Sequence, residues 1–151
     1  MIVQINEKDK KQEIARRILE ALTDWFEVEE SREKYIKESG DQIFIADKEG
    51  DEYTGFLCLK ETGKATVELA VMGVLKEYHR NGIGRQLVDE AIKVAKDAGY
   101  EFFQVKTVKL GMYEDYDRTN YFYLSCGFKE FEVIPELWGE ENPCQIYVMS
   151  I

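Results

Sequence analysis

The run Val74-Leu75-Lys76-Glu77-Tyr78-His79-Arg80-Asn81-Gly82-Ile83-Gly84-Arg85-Gln86-Leu87-Val88 constrains this chain more than any other part of it. It passes from an apolar strand into an amphipathic helix through a turn that contains two glycines. Without a Cβ at Gly82 and Gly84 the backbone can come close to a ligand. The unpaired N–H groups of the first helical turn, at the positive end of the helix dipole, then face an anion. The junction therefore suits phosphate. A nucleoside-triphosphate loop would need Gly-Lys-Ser/Thr at its end, but Gly84 is followed by Arg85 and Gln86. A dinucleotide loop needs a third glycine three residues after the second, and Leu87 stands there.

The rest of the chain reads as one domain, residues 1–151, without repeats or linkers. A strand is expected over Met1 to Asn6. Ile14, Ile18 and Leu22, with Ala15 and Leu19 beside them, form an apolar stripe at helical spacing from Lys8 to Leu22. After a break at Thr23-Asp24-Trp25-Phe26, a second helix is expected from Glu29 to Ser39, ended by Gly40. Strands follow at Gln42 to Ala46, Tyr53 to Lys60 and Thr66 to Val74, with turns at Lys48–Asp51 and Glu61–Lys64. Gly73, inside the last of these, implies a bulge or the close approach of another backbone or a ligand. A long helix is expected to start near Ile83 and to be capped by Gly99, followed by a strand at Phe102 to Val108 and a helix at Tyr116 to Ser125. Strands at Phe128 to Ile134 and Gln145 to Ser150 flank the loop 135–143.

A chain of 151 residues with 44% hydrophobic residues can bury a core without staples. No apolar run approaches the ~20 residues of a membrane span and no signal segment is evident, so the expected location is cytoplasmic, with no membrane partner. The net charge of −10 repels nucleic acid and anionic lipid and favours cationic partners. Cys58, Cys126 and Cys144 lack metal-ligand spacing and there is one histidine, so no metal is expected.

His79-Arg80-Asn81-Gly82-Ile83-Gly84 resembles Gln/Arg-x-x-Gly-x-Gly/Ala, the acyl-CoA pyrophosphate loop of the GCN5-related N-acetyltransferases (GNAT), with His79 as the one departure. About forty residues on, Phe122-Tyr123-Leu124-Ser125-Cys126-Gly127-Phe128 resembles the family's Phe-Tyr-x-x-x-Gly-Phe. The element order β-α-α-β-β-β-α-β-α-β-β extends the resemblance over essentially the whole chain. It implies an α/β protein of the GNAT fold, a mixed, mostly antiparallel sheet of about seven strands flanked by four helices. The cosubstrate it implies is acetyl-CoA.

Amine acetylation sets chemical demands. An alkylammonium of pKa about 10.4 must lose a proton at roughly 4–5 kcal/mol at neutral pH, so a base or a water route is needed. The thioester carbonyl must be polarised, and the departing thiolate can take a proton. By the resemblance, the backbones of Met72 and Val74 pair with pantetheine, and His79, Arg80, Asn81, Gly82, Ile83, Gly84 and Arg85 hold the pyrophosphate. Tyr123 corresponds to the tyrosine aimed at the sulfur as general acid; its alternative is a core aromatic. Glu68, six residues before Val74, resembles the glutamate base of the histone-acetylating branch; it is either a desolvated base or an outward-facing strand residue. Tyr116 stands where relatives often carry a CoA-contacting asparagine.

Trp25, Phe26 and Trp138 lie in loops that in this fold flank the acceptor entrance, and Asp115 and Asp117 add carboxylates suited to a cation. Each of them can equally be a loop anchor or a solvated charge. The expected activity is acetyl transfer to a primary amine, small and cationic or on a peptide, by direct attack. Cys126 lacks a histidine partner for a covalent route. The alternative is a non-catalytic acyl-CoA sensor or interaction module. Exposed strands leave a homodimer open.

Overall fold

A computed structural model describes all 151 residues, Met1–Ile151. The strands are β1 (Ile2–Ile5), β2 (Ile43–Glu49), β3 (Glu52–Gly63), β4 (Thr66–Val74), β5 (Phe102–Val108), β6 (Lys129–Ile134) and β7 (Cys144–Ser150). The helices are α1 (Lys8–Ala21), α2 (Glu29–Ser39), α3 (Ile83–Asp97) and α4 (Glu114–Ser125). The sheet has seven strands in the order β1-β2-β3-β4-β5-β7-β6, with β4 and β5 parallel and the pairs β1–β2, β2–β3, β5–β7 and β6–β7 antiparallel. This is the mixed, mostly antiparallel α/β sheet expected, with four helices. No helix is long and apolar enough to cross a membrane.

Most boundaries fall within two residues of expectation, and the larger differences lie at the hairpins. β2 and β3 run on to Glu49 and from Glu52, leaving Gly50-Asp51 as a two-residue turn with Gly50 at φ +60°. A positive φ at the first turn position is what glycine supplies in tight hairpins. β3 likewise extends to Gly63, so the next turn shrinks to Lys64-Ala65. In both cases paired backbone wins over the polar side chains that read as loop, because a strand end needs only its ladder partners. α4 begins two residues early, at Glu114, where acidic side chains favour the first turn of a helix.

The chain packs as two compact units, Met1–Lys60 with Leu69–Val94, and Glu61–Glu68 with Ala95–Ile151, so that β3 and β4 each contribute to both. In the first unit, Ile14, Ile18 and Leu19 of α1 and Leu22 just after it are buried, with Ile36 of α2, against Phe44, Phe56, Cys58 and Val71 of the sheet. Phe44 and Phe56 stack with centroids 5.2 Å apart. Gly73 is explained here. A Cβ built on it would lie 2.9 Å from Leu22 Cδ1 and 3.2 Å from Ile18 Cγ2. The space a Gly73 side chain would need is thus taken by Leu22 and Ile18. At Gly55 a Cβ would lie 3.1 Å from the Gly73 carbonyl and 3.3 Å from Leu87 Cδ1 of α3.

In the second unit, Phe103, Val105 and Tyr147 face α4. Phe103 meets Phe128 edge-on at 5.1 Å, and Tyr123 of α4 packs against Phe128 at 5.7 Å and Tyr147 at 6.2 Å. Asn120, fully buried on α4, donates to the carbonyls of Val108 at 2.9 Å and Tyr116 at 2.7 Å and accepts the Tyr147 hydroxyl at 2.6 Å. Both ends of its amide are thus satisfied, as burial demands.

Gly73→Ala is expected to destabilise the fold by about 1–2 kcal/mol, since Leu22 Cδ1 is a flexible end that can partly yield; urea unfolding reads this. A second expectation concerns Asp47 of β2, fully buried, which accepts the Thr54 hydroxyl at 2.5 Å and the Met1 ammonium at 3.0 Å. Burial pushes this carboxyl up, but the Thr54 hydroxyl and the ammonium outweigh it and hold it below the ordinary carboxylate value. A lowered folded-state pKa contributes stability above the ordinary carboxyl range and loses it as pH falls through the folded value. Asp47→Asn should therefore flatten the acid side of a Tm-against-pH curve, whereas an unchanged acid limb would contradict this account.

Candidate functional site

β4 ends at Val74, and Leu75 turns the chain, its N–H donating to the Thr54 carbonyl at 2.8 Å. A single 3₁₀ turn, Lys76–Tyr78, follows. It is too short for any periodicity to announce it. Tyr78 anchors the turn by donating its hydroxyl to Glu52 at 2.9 Å. Arg80 then adopts φ +69° and Gly82 φ +77°. Gln86 N–H donates to the Gly82 carbonyl at 3.0 Å, which makes Gly82 the residue that opens α3. The N–H groups of Ile83, Gly84 and Arg85 consequently have no carbonyl a turn earlier to bond. A Cβ on Gly82 would meet nothing within 4 Å, so its requirement is conformational, the left-handed φ. This donor set, three N–H groups at the positive end of a fifteen-residue helix, fits a pyrophosphate. Arg80 and Arg85 are exposed beside it, with Arg85 Nε 3.7 Å from Asp89.

His79 is exposed, and its Nε2 lies 2.7 Å from the Val74 carbonyl. Its ring also meets Trp25 edge-on, with centroids 5.9 Å apart. Lys76 Nζ stands 5.6 Å from the Trp25 ring centre and pairs with Asp24. Trp25, expected at the acceptor entrance, is thus brought against His79 at the start of the glycine loop. Phe26 turns the other way and packs edge-on against Tyr35 of α2 at 6.0 Å, the geometry of a loop anchor.

Glu68 is 7% exposed and forms an ion pair with Lys106 of β5. The pairs Thr66↔Phe102 and Glu68↔Gln104 place Glu68 on the sheet face that carries Phe102, Gln104 and Lys106. Tyr123, 6% exposed, lies on the opposite face, with Tyr147 and Phe103. Within the second unit the two expected catalytic side chains therefore point to different sides of the sheet. Trp138 is 44% exposed on the turn 135–138. Asp115 pairs with Arg118 at 3.3 Å and Asp117 accepts the Gly111 N–H at 2.7 Å, so both carboxylates are engaged locally. Burial pushes the Cys144 thiol up, with Glu68 adding to the rise and Lys106 opposing it.

Two functional candidates escaped sequence reasoning. Lys106 is a charge set between Val105 and Thr107 in a strand otherwise read as buried, and that mismatch was a usable signal. Lys76 had none, because its partner Asp24 lies 52 residues away.

Arg80 pays for its left-handed conformation with about 1 kcal/mol of steric strain that glycine does not incur. Arg80→Gly should therefore leave Tm unchanged or raise it slightly; a clear loss in a thermal melt would show that the guanidinium holds the loop together.

Residues 39–130 match the family model of the acetyltransferase (GNAT) domain. The chain is 32% identical over 80 residues to the uncharacterized N-acetyltransferase YvbK of Bacillus subtilis (strain 168), a match that covers 53% of this chain and 48% of that protein. It thus spans about half the length of this curated relative. Among solved structures, a GNAT-family protein of Desulfovibrio desulfuricans superposes with a TM-score of 0.87 at 18% identity over 99% of each chain. An aminoglycoside 6'-N-acetyltransferase complexed with coenzyme A does so with a TM-score of 0.77 at 21% identity, over 99% of this chain and 96% of that one. At those identities the structures speak to fold alone. The family model, however, takes in β4, the glycine turn, α3, β5 and α4, more than half of the sequence, and so the chain belongs to the GNAT acetyltransferase family.

Proposed function

We propose that this protein, acting as a single domain, transfers the acetyl group of acetyl-CoA to a primary amine, small and cationic or on a peptide. The observation that carries this reading is the row of unpaired N–H groups from Ile83 to Arg85, opened by Gly82 at φ +77° directly after a strand and a 3₁₀ turn, in a GNAT-family chain. Bound acetyl-CoA supplies an acyl group already activated as a thioester. The α3 N-terminus would hold its pyrophosphate, with Arg80 and Asn81 beside it.

Pantetheine pairing falls mainly to the Met72 backbone, because the Val74 carbonyl is engaged by His79. The acceptor must shed a proton before it attacks. Glu68 is our candidate base, buried but paired with Lys106. Because one carboxylate oxygen is already taken, water relay to bulk solvent is the competing route. Tyr123 is the candidate proton donor to sulfur, from a pocket of Phe128 and Tyr147. The negative net charge of −10 favours a cationic acceptor, as does the exposed aromatic surface of Trp138. The acetylation reactions of the aminoglycoside enzyme above are consistent with an acceptor of that charge. A cytoplasmic location accords with this use of acetyl-CoA.

Release of CoA from acetyl-CoA, measured over a panel of polyamines, aminoglycosides, amino acids and lysine peptides, tests the proposal. Turnover is expected on a cationic class. Tyr123→Phe should lower kcat by about 10–100-fold with little change in KM for acetyl-CoA, as for loss of a general acid. Arg80→Gly should raise that KM without loss of fold. Glu68→Gln separates base from relay: a fall in kcat of at least about tenfold supports the base, an unchanged kcat the relay. Tight acetyl-CoA binding with no turnover on any amine would favour an acyl-CoA sensor instead.

A further inference from the structure

We propose that Trp25 is a positioning residue for the acetyl-CoA loop, acting through His79, and that it is not a wall of the acceptor site. This rests on the reading of the Gly82 turn as the pyrophosphate loop. A carbonyl oxygen only accepts, so at 2.7 Å from the Val74 carbonyl the His79 Nε2 must carry the hydrogen. In the neutral ring the proton is then absent from Nδ1. His79 is the residue immediately before Arg80, whose φ of +69° begins the loop's left-handed conformations. Fixing the imidazole to the strand end therefore fixes where that departure starts.

An exposed imidazole holding one hydrogen bond would exchange rotamers readily. What opposes this is Trp25, whose ring meets it at 68° and 5.9 Å. Trp25 is in turn half-buried and has a second contact, with Lys76 Nζ at 5.6 Å from the ring centre and Lys76 paired with Asp24. Asp24 and Trp25 sit in the turn after α1, while Lys76 and His79 sit in and after the 3₁₀ turn. The two loops are thus joined through one indole, which meets both an ammonium and an imidazole. The same arrangement occupies the Val74 carbonyl, leaving one fewer strand group for pantetheine.

The chain has a single histidine, so its imidazole nitrogen signals are read by NMR without ambiguity. In the intact protein the Nε2–H tautomer is expected to predominate. Trp25→Ala should shift the signals toward a mixture of tautomers and weaken acetyl-CoA binding, measured by calorimetry, by about fivefold to tenfold. Trp25→Phe should keep most of both. His79→Ala should lose a similar factor, and the double variant should lose no more than either single change, as for residues acting through one contact. The inference is overturned if Trp25→Ala, still folded by its thermal melt, binds acetyl-CoA within twofold of the original protein, or if the two losses add. If the unaltered protein does not bind acetyl-CoA at all, the loop reading itself falls and this inference with it.

Discussion

Everything else in the first compact unit depends on how closely α1 can approach β4, and that distance is set by the missing side chain at Gly73. Leu22 and Ile18 occupy the space a Cβ would take, and Gly55 gives the same latitude to the Gly73 carbonyl and to Leu87 of α3. Two absent side chains, on neighbouring strands, thus let apolar side chains of two helices seat directly on the backbone. Close seating matters because packing forces fall off within a fraction of an ångström. The end of β4 is where the chain turns toward the glycine loop. The anchoring of Gly73 beneath Leu22 therefore gives the loop a rigid starting point.

Beyond Val74 the geometry is kept by polar and aromatic contacts. Leu75 is bonded to the Thr54 carbonyl and Tyr78 to Glu52, and His79 returns to the Val74 carbonyl. These bonds are modest individually, about 0.5–1.5 kcal/mol each, but together they leave few conformations open before Arg80 and Gly82 enter the left-handed region. A preformed loop loses less entropy when it captures an anion than a mobile one does.

The second unit is organised by aromatic packing around Tyr123 and by the fully satisfied amide of Asn120. The distribution of polar groups over its sheet is uneven. Tyr123 belongs to the α4 side, while Glu68 and Lys106 share the opposite face. A carboxylate removed from water needs a charge partner or a proton, and Lys106 supplies the former. The arrangement sets the Glu68 carboxylate and the Tyr123 side chain on opposite faces of this part of the sheet.

Much of this was legible in the sequence, for a local reason. The helical stripe of Ile14, Ile18 and Leu22, the glycine-ended α3 and the alternating strands are patterns within single elements, and element order follows from them. So does the Gly82 turn, since backbone freedom is a property of the residue itself. The contacts that decide side-chain roles were not legible. Trp25 on His79, Asp24 on Lys76 and Lys106 on Glu68 join residues 38 to 54 positions apart, and no local pattern records which strand face or which loop a distant partner will occupy. Sequence alone determined the family resemblance and the loop that can hold an anion, because both reside in short runs of backbone chemistry. Only the tertiary structure decided that Ile18 and Leu22 fill the space over Gly73, that Trp25 meets His79, and that Glu68 and Tyr123 face apart, because packing and register set those outcomes.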